Sequence, residues 1–266
     1  MIETGADELP SAVKPTVGAI VPTYRHVSAL SSIVAALRLS GLPVVIVDDG
    51  NIGEIQHRLA EFHSPETGTT VVRRDLNGGK GAAMKTGFAM AESLGWTHAL
   101  QVDADGQHDL SALPRLLELS CNNPEAVICA IPVYDASVPR GRKIGRKITH
   151  FWVRIETLSF EISDSMCGFR IYPLADTIAV LRREFLGNRM DFDTEILVHL
   201  NWRGVRCVEH PVKVIYPDAN NSNFRMLRDN VRITAMHTRL AVQAPFRVVV
   251  RQLRRHLTGR YPKISP

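Results

Sequence analysis

Short apolar runs alternate along the first half of the chain with segments whose apolar residues recur at helical spacing. Leu30, Ile33, Val34 and Leu37 fall at positions i, i+3, i+4 and i+7, which is one face of a helix. Further helices are predicted at 52–63 and 79–94. Buried strands are predicted at 17–22, 44–47, 69–72, 99–102 and 126–131. This alternation predicts a doubly wound, mostly parallel α/β sheet flanked by helices.

The alternation becomes irregular after Pro132. We expect a loop over 132–143, a loop and strand over 163–172, a strand over 205–216, and helices over 144–160, 174–184 and 191–202. From Asn223 to the end the pattern predicts helix, broken near Pro245. The expected organisation is a flexible lead-in over 1–15, one α/β domain over 16–217 and a basic helical extension over 218–266.

Charge is divided unevenly between the two halves of this 266-residue chain. Residues 1–139 hold 9 Lys or Arg and 16 Asp or Glu, a net of −7, whereas residues 140–266 hold 23 and 11, a net of +12. We therefore expect the second half to meet an anion, which leaves nucleic acid, a membrane and a phosphorylated substrate open.

The sequence indicates neither a targeting signal nor disulfide bonds. The four cysteines are scattered without C-x-x-C spacing, which indicates reduced, buried thiols in a cytosolic protein. The acidic first 14 residues do not resemble a signal peptide, and no apolar run reaches the roughly 18 residues of a transmembrane helix.

Polar or glycine-rich segments follow four of the predicted strands. In an open parallel sheet, ligands bind beyond the carboxyl ends of the strands, so these segments are expected to meet at one edge. They are Pro22-Thr23-Tyr24, Asp48-Asp49-Gly50, Arg73 to Lys80, and Asp103-Ala104-Asp105. Their convergence predicts a ligand site.

The pair Asp103 and Asp105 is the sharpest of these signals. Two carboxylates at a strand end can hold a hard divalent ion, which keeps water and phosphate oxygens as its other ligands. Gln107 and His108 follow directly and could add a ligand. The alternative is an aspartate that caps the next helix beside a solvated neighbour.

The other strand ends offer groups suited to a nucleotide. Asn77 to Gly81 opens a helix with three glycines, so its backbone can approach a phosphate and Lys80 can add a point charge. Asp48 and Asp49 can accept hydrogen bonds from a ribose or a base, and Tyr24 can stack on a base. Ordinary turns, a helix cap and simple packing of the tyrosine remain the alternatives.

Two segments of the second half carry charged residues suited to chemistry. Arg170 can hold a phosphate bidentately, whereas the neighbouring Cys167 is expected to be a buried structural thiol because no histidine relay is apparent. Asp193 and Glu195 precede an apolar helical run. Asp193 could therefore cap the N-terminus of this helix, whereas Glu195 could face the site as a base.

Two basic segments suit an anionic surface. Arg140 to Lys147 carries five basic residues in eight, and Phe246 to Leu257 interleaves arginines with apolar residues. The second pattern is typical of a basic amphipathic helix on a membrane surface. For Arg140 to Lys147 the alternative is a solvated face, and for Phe246 to Leu257 it is a helix that simply docks on the domain.

Taken in order, these segments resemble a family 2 glycosyltransferase of GT-A fold over roughly residues 16–217. The D-A-D-x-Q-H form is similar to dolichol- or polyprenyl-phosphate sugar synthases. Residues 224–239 look more like glycosyltransferases of bacterial aryl-polyene or related glycolipid clusters. The matching segments are V-P-T-Y (21–24), D-D-G (48–50), N-x-G-x-G (77–81), D-x-D-x-Q-H (103–108), C-G-F-R (167–170) and D-x-E (193–195).

The resemblance implies a nucleotide-sugar donor, linked to UDP or GDP, a divalent Mg or Mn ion, and inversion at the anomeric carbon. It implies that Asp105, with Gln107 as a further ligand, holds the metal. Asp193 or Glu195 then matches the acceptor-side acid. The residues implied to contact the nucleotide are Pro22, Tyr24, Asp48, Asp49, Asn77, Lys80 and Asp103.

The sequence departs from the family pattern at Asn51, where a serine usually follows D-D-G, and it lacks the long hydrophobic C-terminal segments of many membrane-bound relatives. Both departures concern the acceptor rather than the reaction. A hydroxyl acceptor needs a general base, whereas a lipid phosphate needs arginines, for which Arg142, Arg146 and Arg170 are the candidates.

We therefore expect an inverting glycosyltransferase that acts on a polyprenyl-phosphate or glycolipid acceptor. We expect it to be cytoplasmic and peripheral at the inner face of the cell membrane and to meet an anionic membrane surface; a homo-oligomer is a further expectation. The alternatives are a non-catalytic nucleotide-sugar-binding relative and a sugar-phosphate nucleotidyltransferase. A nucleic-acid binder is disfavoured because the basic half has few aromatic residues for base stacking.

Overall fold

One seven-stranded sheet organises the chain, in the strand order β3-β2-β1-β4-β6-β5-β7. The computed structural model describes residues 15–133, 140–213 and 226–258. All neighbouring pairs are parallel except those of β6, which is antiparallel to β4 and β5. The strands are β1 (Val17–Thr23), β2 (Val44–Asp49), β3 (Thr69–Arg74), β4 (His98–Gln101), β5 (Val127–Val133), β6 (Arg170–Pro173) and β7 (Cys207–Lys213).

Helices cover both faces of the sheet, as the strand–helix alternation predicts. They are α1 (Leu30–Leu39), α2 (Glu54–Ala60), α3 (Lys80–Ser93), α4 (Leu113–Asn122), α5 (Arg140–Thr157), α6 (Leu174–Arg183), α7 (Phe192–Arg203) and α8 (Met226–Thr258). The predicted mostly parallel α/β sheet is therefore confirmed.

Alternating residues of the buried strands feed two separate apolar cores. In β1, Ile20 joins the core under α3, α7 and α8, whereas Ala19 and Val21 join the core under α1 and α4. This division follows from the pleat, which points successive side chains to opposite faces. The α1 residues at helical spacing, from Leu30 to Leu37, are buried as predicted.

Two boundaries of the second half differ from the prediction. Within the predicted loop over 132–143, residues 132 and 133 belong to β5 and residues 140–143 to α5, while 134–139 lie outside the described residues. The break near Pro245 is wrong, since α8 continues through this proline. Proline removes one helical hydrogen bond, but packing of α8 against α5 and α7 holds the helix on both sides of it.

Several expectations fall outside the described residues. These are the lead-in over 1–14, the end of the predicted strand over 214–216, residues 224 and 225, and the side chains of Arg142, Arg254 and Arg255. Among the described residues, no helix combines the length and the apolar composition needed to cross a bilayer.

Close packing against Trp96 makes Gly18 of β1 a test of the fold. A Cβ atom at this position would lie 2.3 Å from the indole ring. We expect Gly18→Ala to lower the free energy of unfolding by about 1–3 kcal/mol through overpacking, measured by urea denaturation. Gly145→Ala on α5 is the control, because nothing lies within 4 Å of its added methyl group. That helical substitution should leave stability unchanged or raise it by up to about 1 kcal/mol.

Candidate functional site

The carboxyl ends of β1, β2 and β3 lie side by side at one edge of the sheet. Thr23 is in register with Asp48, and Asp49 is in register with Arg74. The end of β4 adjoins β1 and leads into Asp103. The polar segments that the sequence predicts to meet are therefore brought to the same edge.

Asp49 holds the glycine-rich loop in place. Its Oδ1 accepts from Gly78 N at 3.0 Å and Arg74 Nε at 2.9 Å, and its Oδ2 accepts from Gly79 N at 2.8 Å and Asn77 Nδ2 at 2.9 Å. Both oxygens are thus engaged by the protein, and Asp49 is only 2% exposed. Its arrangement suits a residue that shapes the loop; a direct nucleotide contact by Asp49 or Asn77 stays a prediction.

Asp48 and Asn51 join the ends of β1 and β2. Asp48 Oδ1 accepts from Asn51 N at 2.9 Å and Nδ2 at 2.7 Å, and the same Nδ2 donates to Thr23 O at 3.0 Å. Asn51 Oδ1 accepts from Arg25 N at 2.8 Å, where the backbone adopts a φ of 62°. The amide that replaces the usual serine therefore stabilises a left-handed turn beside Tyr24, which a non-glycine residue rarely adopts.

Lys80, the first residue of α3, lies between two carboxylates. Its Nζ is 2.7 Å from Asp103 Oδ1 and 2.7 Å from Asp193 Oδ2. Burial by itself would lower the pKa of this lysine, but the two carboxylates outweigh burial and raise it. The pKa of Asp103 is held well below its usual range, because Lys80 and His108 outweigh the effect of burial. Lys80 and Asp103 are therefore both charged at neutral pH.

Behind Lys80, buried side chains fix Asp193. Gln101 Nε2 donates to Asp193 Oδ1 at 2.9 Å, and Gln101 Oε1 accepts from Tyr172 at 3.2 Å. Arg170 is fully buried and donates to the Asp193 carbonyl at 2.6 Å. This burial favours a positioning role for Arg170 over the predicted contact with a phosphate.

Sequence reasoning missed Gln101 and Tyr172. The only signal for Gln101 is an amide at the end of an otherwise apolar strand, two residues before Asp103. Tyr172 reads as an ordinary apolar strand residue. Its hydroxyl donates to Gln101 of β4 and its ring contacts Phe88 of α3, both far away in sequence, so no local pattern could identify it.

Gly168 explains why the segment before β6 needs a glycine. A Cβ atom there would lie 2.6 Å from Lys80 Nζ and 2.7 Å from both Asp103 Oδ2 and Gln101 Nε2. The adjacent Cys167 is buried, and burial raises the pKa of its thiol to about 12. This supports the prediction of a structural thiol, because the nucleophilic form of cysteine is the thiolate.

Asp105 lies two residues beyond Asp103, on the segment that follows β4. It is half-buried, and its Oδ1 accepts from Gln107 N at 3.0 Å. Within the described ranges, no cluster of three or more His, Cys, Asp or Glu side chains forms a complete metal cage. A hard cation that takes one or two carboxylates and completes its shell with water and phosphate oxygens still fits this arrangement.

Glu195 is turned away from this edge. It is 0% exposed, and its carboxylate accepts from Gly187 N at 2.6 Å and pairs with Arg239 of α8. Burial raises the pKa of Glu195, and Arg239 only partly offsets this effect. These contacts suit a residue that ties the loop before α7 to α8, and they favour Asp193 over Glu195 as the acid that faces a substrate.

Arg146 of α5 is tied to the loop that carries Gly168. Its guanidinium forms an ion pair with Asp164 at 2.5 Å, and Asp164 Oδ1 accepts from Met166 N and Cys167 N. Burial opposes ionisation of Asp164, but the contact with Arg146 outweighs it and lowers its pKa. α5 is thereby coupled to the site through one ion pair.

Known proteins share this sequence pattern. The sequence model of the family described as Glycosyl transferase family 2 matches residues 19–189. An undecaprenyl-phosphate mannosyltransferase of Micrococcus luteus is 26% identical over 210 residues, covering 76% of this chain and 85% of that protein. A polyprenol monophosphomannose synthase of Mycolicibacterium smegmatis is 30% identical over 180 residues, covering 64% of this chain and 67% of that protein.

The fold is also shared with a solved structure. Glucosyl-3-phosphoglycerate synthase from Mycobacterium tuberculosis, in complex with Mn2+, uridine-diphosphate-glucose and phosphoglyceric acid, superposes with a TM-score of 0.57. The match covers 88% of this chain and 80% of that chain at 13% sequence identity. At this identity the likeness concerns the fold alone.

The charge balance around Lys80 makes a pH-dependent prediction. In Lys80→Met, Asp103 and Asp193 stay buried without their cation. Because the Asp103 side chain is 23% exposed, solvent screens part of its charge, so we expect a loss below the roughly 3–5 kcal/mol of a fully buried pair, about 2–3 kcal/mol at pH 8. Measurement is by urea denaturation at several pH values.

The sign of the pH dependence follows from the two pKa directions. The lowered pKa of Asp103 stabilises the wild-type fold above the unfolded pKa of about 4, and this contribution is lost as the pH falls. Without Lys80, burial raises the pKa of Asp103 in the folded state. The free-energy cost of Lys80→Met should therefore shrink as the pH falls from 8 to 5. Lys147→Met, at an exposed site, should cost under about 0.5 kcal/mol at both values. A pH-independent cost for Lys80→Met would contradict the ion-pair assignment.

Proposed function

Because this chain belongs to glycosyl transferase family 2, we propose that it transfers a sugar from a nucleotide-sugar donor to a polyprenyl-phosphate acceptor. The single observation that carries this proposal is the charged group at the sheet edge, in which Lys80 lies between Asp103 and Asp193 beside the half-exposed Asp105. It combines a fixed cation with a carboxylate open to solvent, which is the combination that a departing nucleoside diphosphate requires.

The donor nucleotide is proposed to lie along the ends of β1 and β2. Tyr24 and Pro22 are half-buried there, and the Tyr24 ring lies 5.0 Å from the Arg25 guanidinium. The loop that Asp49 holds leads directly into α3, whose N-terminus and Lys80 would attract the diphosphate. Whether the base is that of UDP or GDP is an outcome of the binding test below.

A divalent ion, Mg or Mn, is proposed to be held by Asp105, with Gln107 as a further ligand. When bound, such an ion neutralises the charge that develops on the leaving diphosphate. Asp105 is the better candidate of the two aspartates, because Asp103 already pairs with Lys80. The M. tuberculosis structure of similar fold contains Mn2+ together with uridine-diphosphate-glucose, which supports the use of a divalent ion.

The polyprenyl-phosphate acceptor is suggested by the two relatives from M. luteus and M. smegmatis, whose names give lipid phosphates or polyprenols. A phosphate monoester is already an anion at neutral pH, so it needs no general base. Asp193 would then serve to orient Lys80, with which it is in contact. For a glycolipid hydroxyl, the same Asp193 is the candidate base, because its carboxylate contacts Lys80 at the sheet edge whereas that of Glu195 pairs with Arg239 of α8.

The protein is proposed to act as a peripheral protein where its lipid acceptor is found. The basic half of the chain is expected to meet the anionic membrane surface, as its charge suggests. A homo-oligomer is an expectation from sequence.

Asp105→Ala tests the donor site. We expect the fold to be retained and sugar transfer to fall by about 10²-fold or more, because the charge on the leaving group is no longer neutralised. The measurements are transfer from UDP- and GDP-sugars to polyprenyl phosphate in detergent, and the thermal shift with each nucleotide in Mg or Mn.

Asp109→Ala is the matched control. Asp109 lies four residues further along and only caps the turn at Ser111, with a 3.0 Å bond to Ser111 N. It should retain transfer and the nucleotide-dependent thermal shift. Full transfer by Asp105→Ala, or a glycolipid as the only acceptor used, would refute the corresponding part of the proposal.

A further inference from the structure

One face of α5 exposes large apolar side chains although the opposite face is already buried. Ile148, Phe151, Trp152 and Ile155 are 56%, 59%, 38% and 39% exposed. They fall at i, i+3, i+4 and i+7, so they form one continuous stripe along the helix. A contiguous apolar surface of this kind on a soluble domain marks an interaction site more often than an isolated exposed residue does.

The stripe continues beyond the end of the helix. Leu158 is 67% exposed and adopts a φ of 44°, in the left-handed region where glycine usually ends a helix. Phe160 follows at 83% exposure, with the Arg154 guanidinium 5.3 Å from its ring. We call the six residues Ile148, Phe151, Trp152, Ile155, Leu158 and Phe160 the α5 patch.

The charge of α5 suits an anionic surface. Six of its 18 residues are basic and only one, Glu156, is acidic. Glu156 is fully buried and pairs with His237 at 2.7 Å, so its charge does not face solvent. Lys147 and Arg154, by contrast, are exposed beside the α5 patch. Apolar residues flanked by exposed cations are typical of helices that lie in a bilayer interface.

The C-terminal segment, in which the sequence predicts a membrane helix, has its described arginines turned inward. Arg247 forms a 2.6 Å ion pair with Glu184, and the buried Arg251 donates to Asn201. These contacts remove two of the cations on which that prediction relied. The exposed cations of α5 make it the better candidate.

The α5 patch lies on the helix that is tied to the site. Arg146 is only two residues from Ile148, and its ion pair with Asp164 holds the loop in which Gly168 contacts Lys80 and Asp103. A lipid-linked acceptor has its phosphate at the membrane surface. A helix that touches both the surface and this loop would bring the two reactants together.

We propose that the α5 patch rests on an anionic lipid bilayer, with the apolar residues in the interface and Lys147 and Arg154 on the headgroups. This rests on the proposed function only for the identity of the acceptor; the contact with lipid follows from the stripe and its charge. A bilayer fits better than a protein partner because the exposed charges beside the stripe have one sign.

Vesicle binding of the full-length protein tests the contact. Sedimentation is measured with vesicles of phosphatidylcholine alone and with vesicles containing a quarter of phosphatidylglycerol. Phe151→Ser with Ile155→Ser should lower binding to the anionic vesicles about tenfold or more. The matched control is Leu39→Ser with Leu94→Ser, which removes two exposed apolar residues elsewhere, 89% and 47% exposed. It should bind as the wild type does.

A second variant, which removes charge instead of apolar residues, keeps the test valid if the serine variant misfolds. Lys147→Gln with Arg154→Gln keeps the apolar stripe and should lower binding about 25-fold, at about fivefold for each cation lost near an anionic surface. No binding by the wild type, or unchanged binding by both variants, overturns the proposal. A wild-type dimer that the serine variant dissociates without loss of vesicle binding would also overturn it, since the patch would then be a subunit interface.

Transfer to a short-chain polyprenyl phosphate in detergent separates this proposal from the proposed function. Both α5 variants should keep wild-type turnover there, because they leave the sheet edge intact. If the wild type lacks transfer in detergent but binds anionic vesicles through α5, the proposed function fails and the membrane contact stands. If the wild type transfers sugar normally and both variants bind vesicles as the wild type does, the membrane contact fails and the proposed function stands.

Discussion

The ion pair of Lys80 with Asp103 and Asp193 is the contact on which the arrangement of the site depends. It joins the start of α3, the segment after β4 and the start of α7, three elements that are distant in sequence. The neighbouring groups are explained by it: Gly168 is small because the lysine lies against it, and Gln101 and Arg170 hold Asp193 where the lysine can reach it. Since two carboxylates surround one cation, the group is net negative, which suits a site that would receive a divalent ion with the donor diphosphate.

The fold uses part of the unevenly distributed charge of the chain in internal ion pairs and hydrogen bonds. In the acidic half, Asp49 and Asp103 are engaged at the sheet edge by Arg74, Lys80 and backbone N–H groups. In the basic half, Arg239 and Arg247 form ion pairs with Glu195 and Glu184, so part of the positive charge fastens α8 to the domain. Counting charges in the sequence overstates how many cations a membrane could meet, because pairing is decided by the fold.

The sequence predicts the fold well where the pattern is local. The five N-terminal strands, α1 and α3, and the edge at which their ends meet all follow from short apolar runs and helical spacing, and the resemblance to family 2 is confirmed by the match over residues 19–189. The antiparallel direction of β6 was not predicted, and the break at Pro245 was predicted wrongly. Both depend on contacts with distant elements: β6 lies between β4 and β5, and α8 is held by α5 and α7.

The amino-acid sequence by itself determined the α/β architecture, the family and the set of polar segments that meet at the sheet edge, because periodicity and residue order carry that information. Only the tertiary structure decided which groups are occupied and which are open. It enclosed Glu195 and Arg170, filled both oxygens of Asp49 with protein hydrogen bonds, and left Asp105 near solvent. It also turned the stripe of α5 outward. The physical reason is that burial and hydrogen-bond partners arise from residues far apart in the chain, and no local pattern records them.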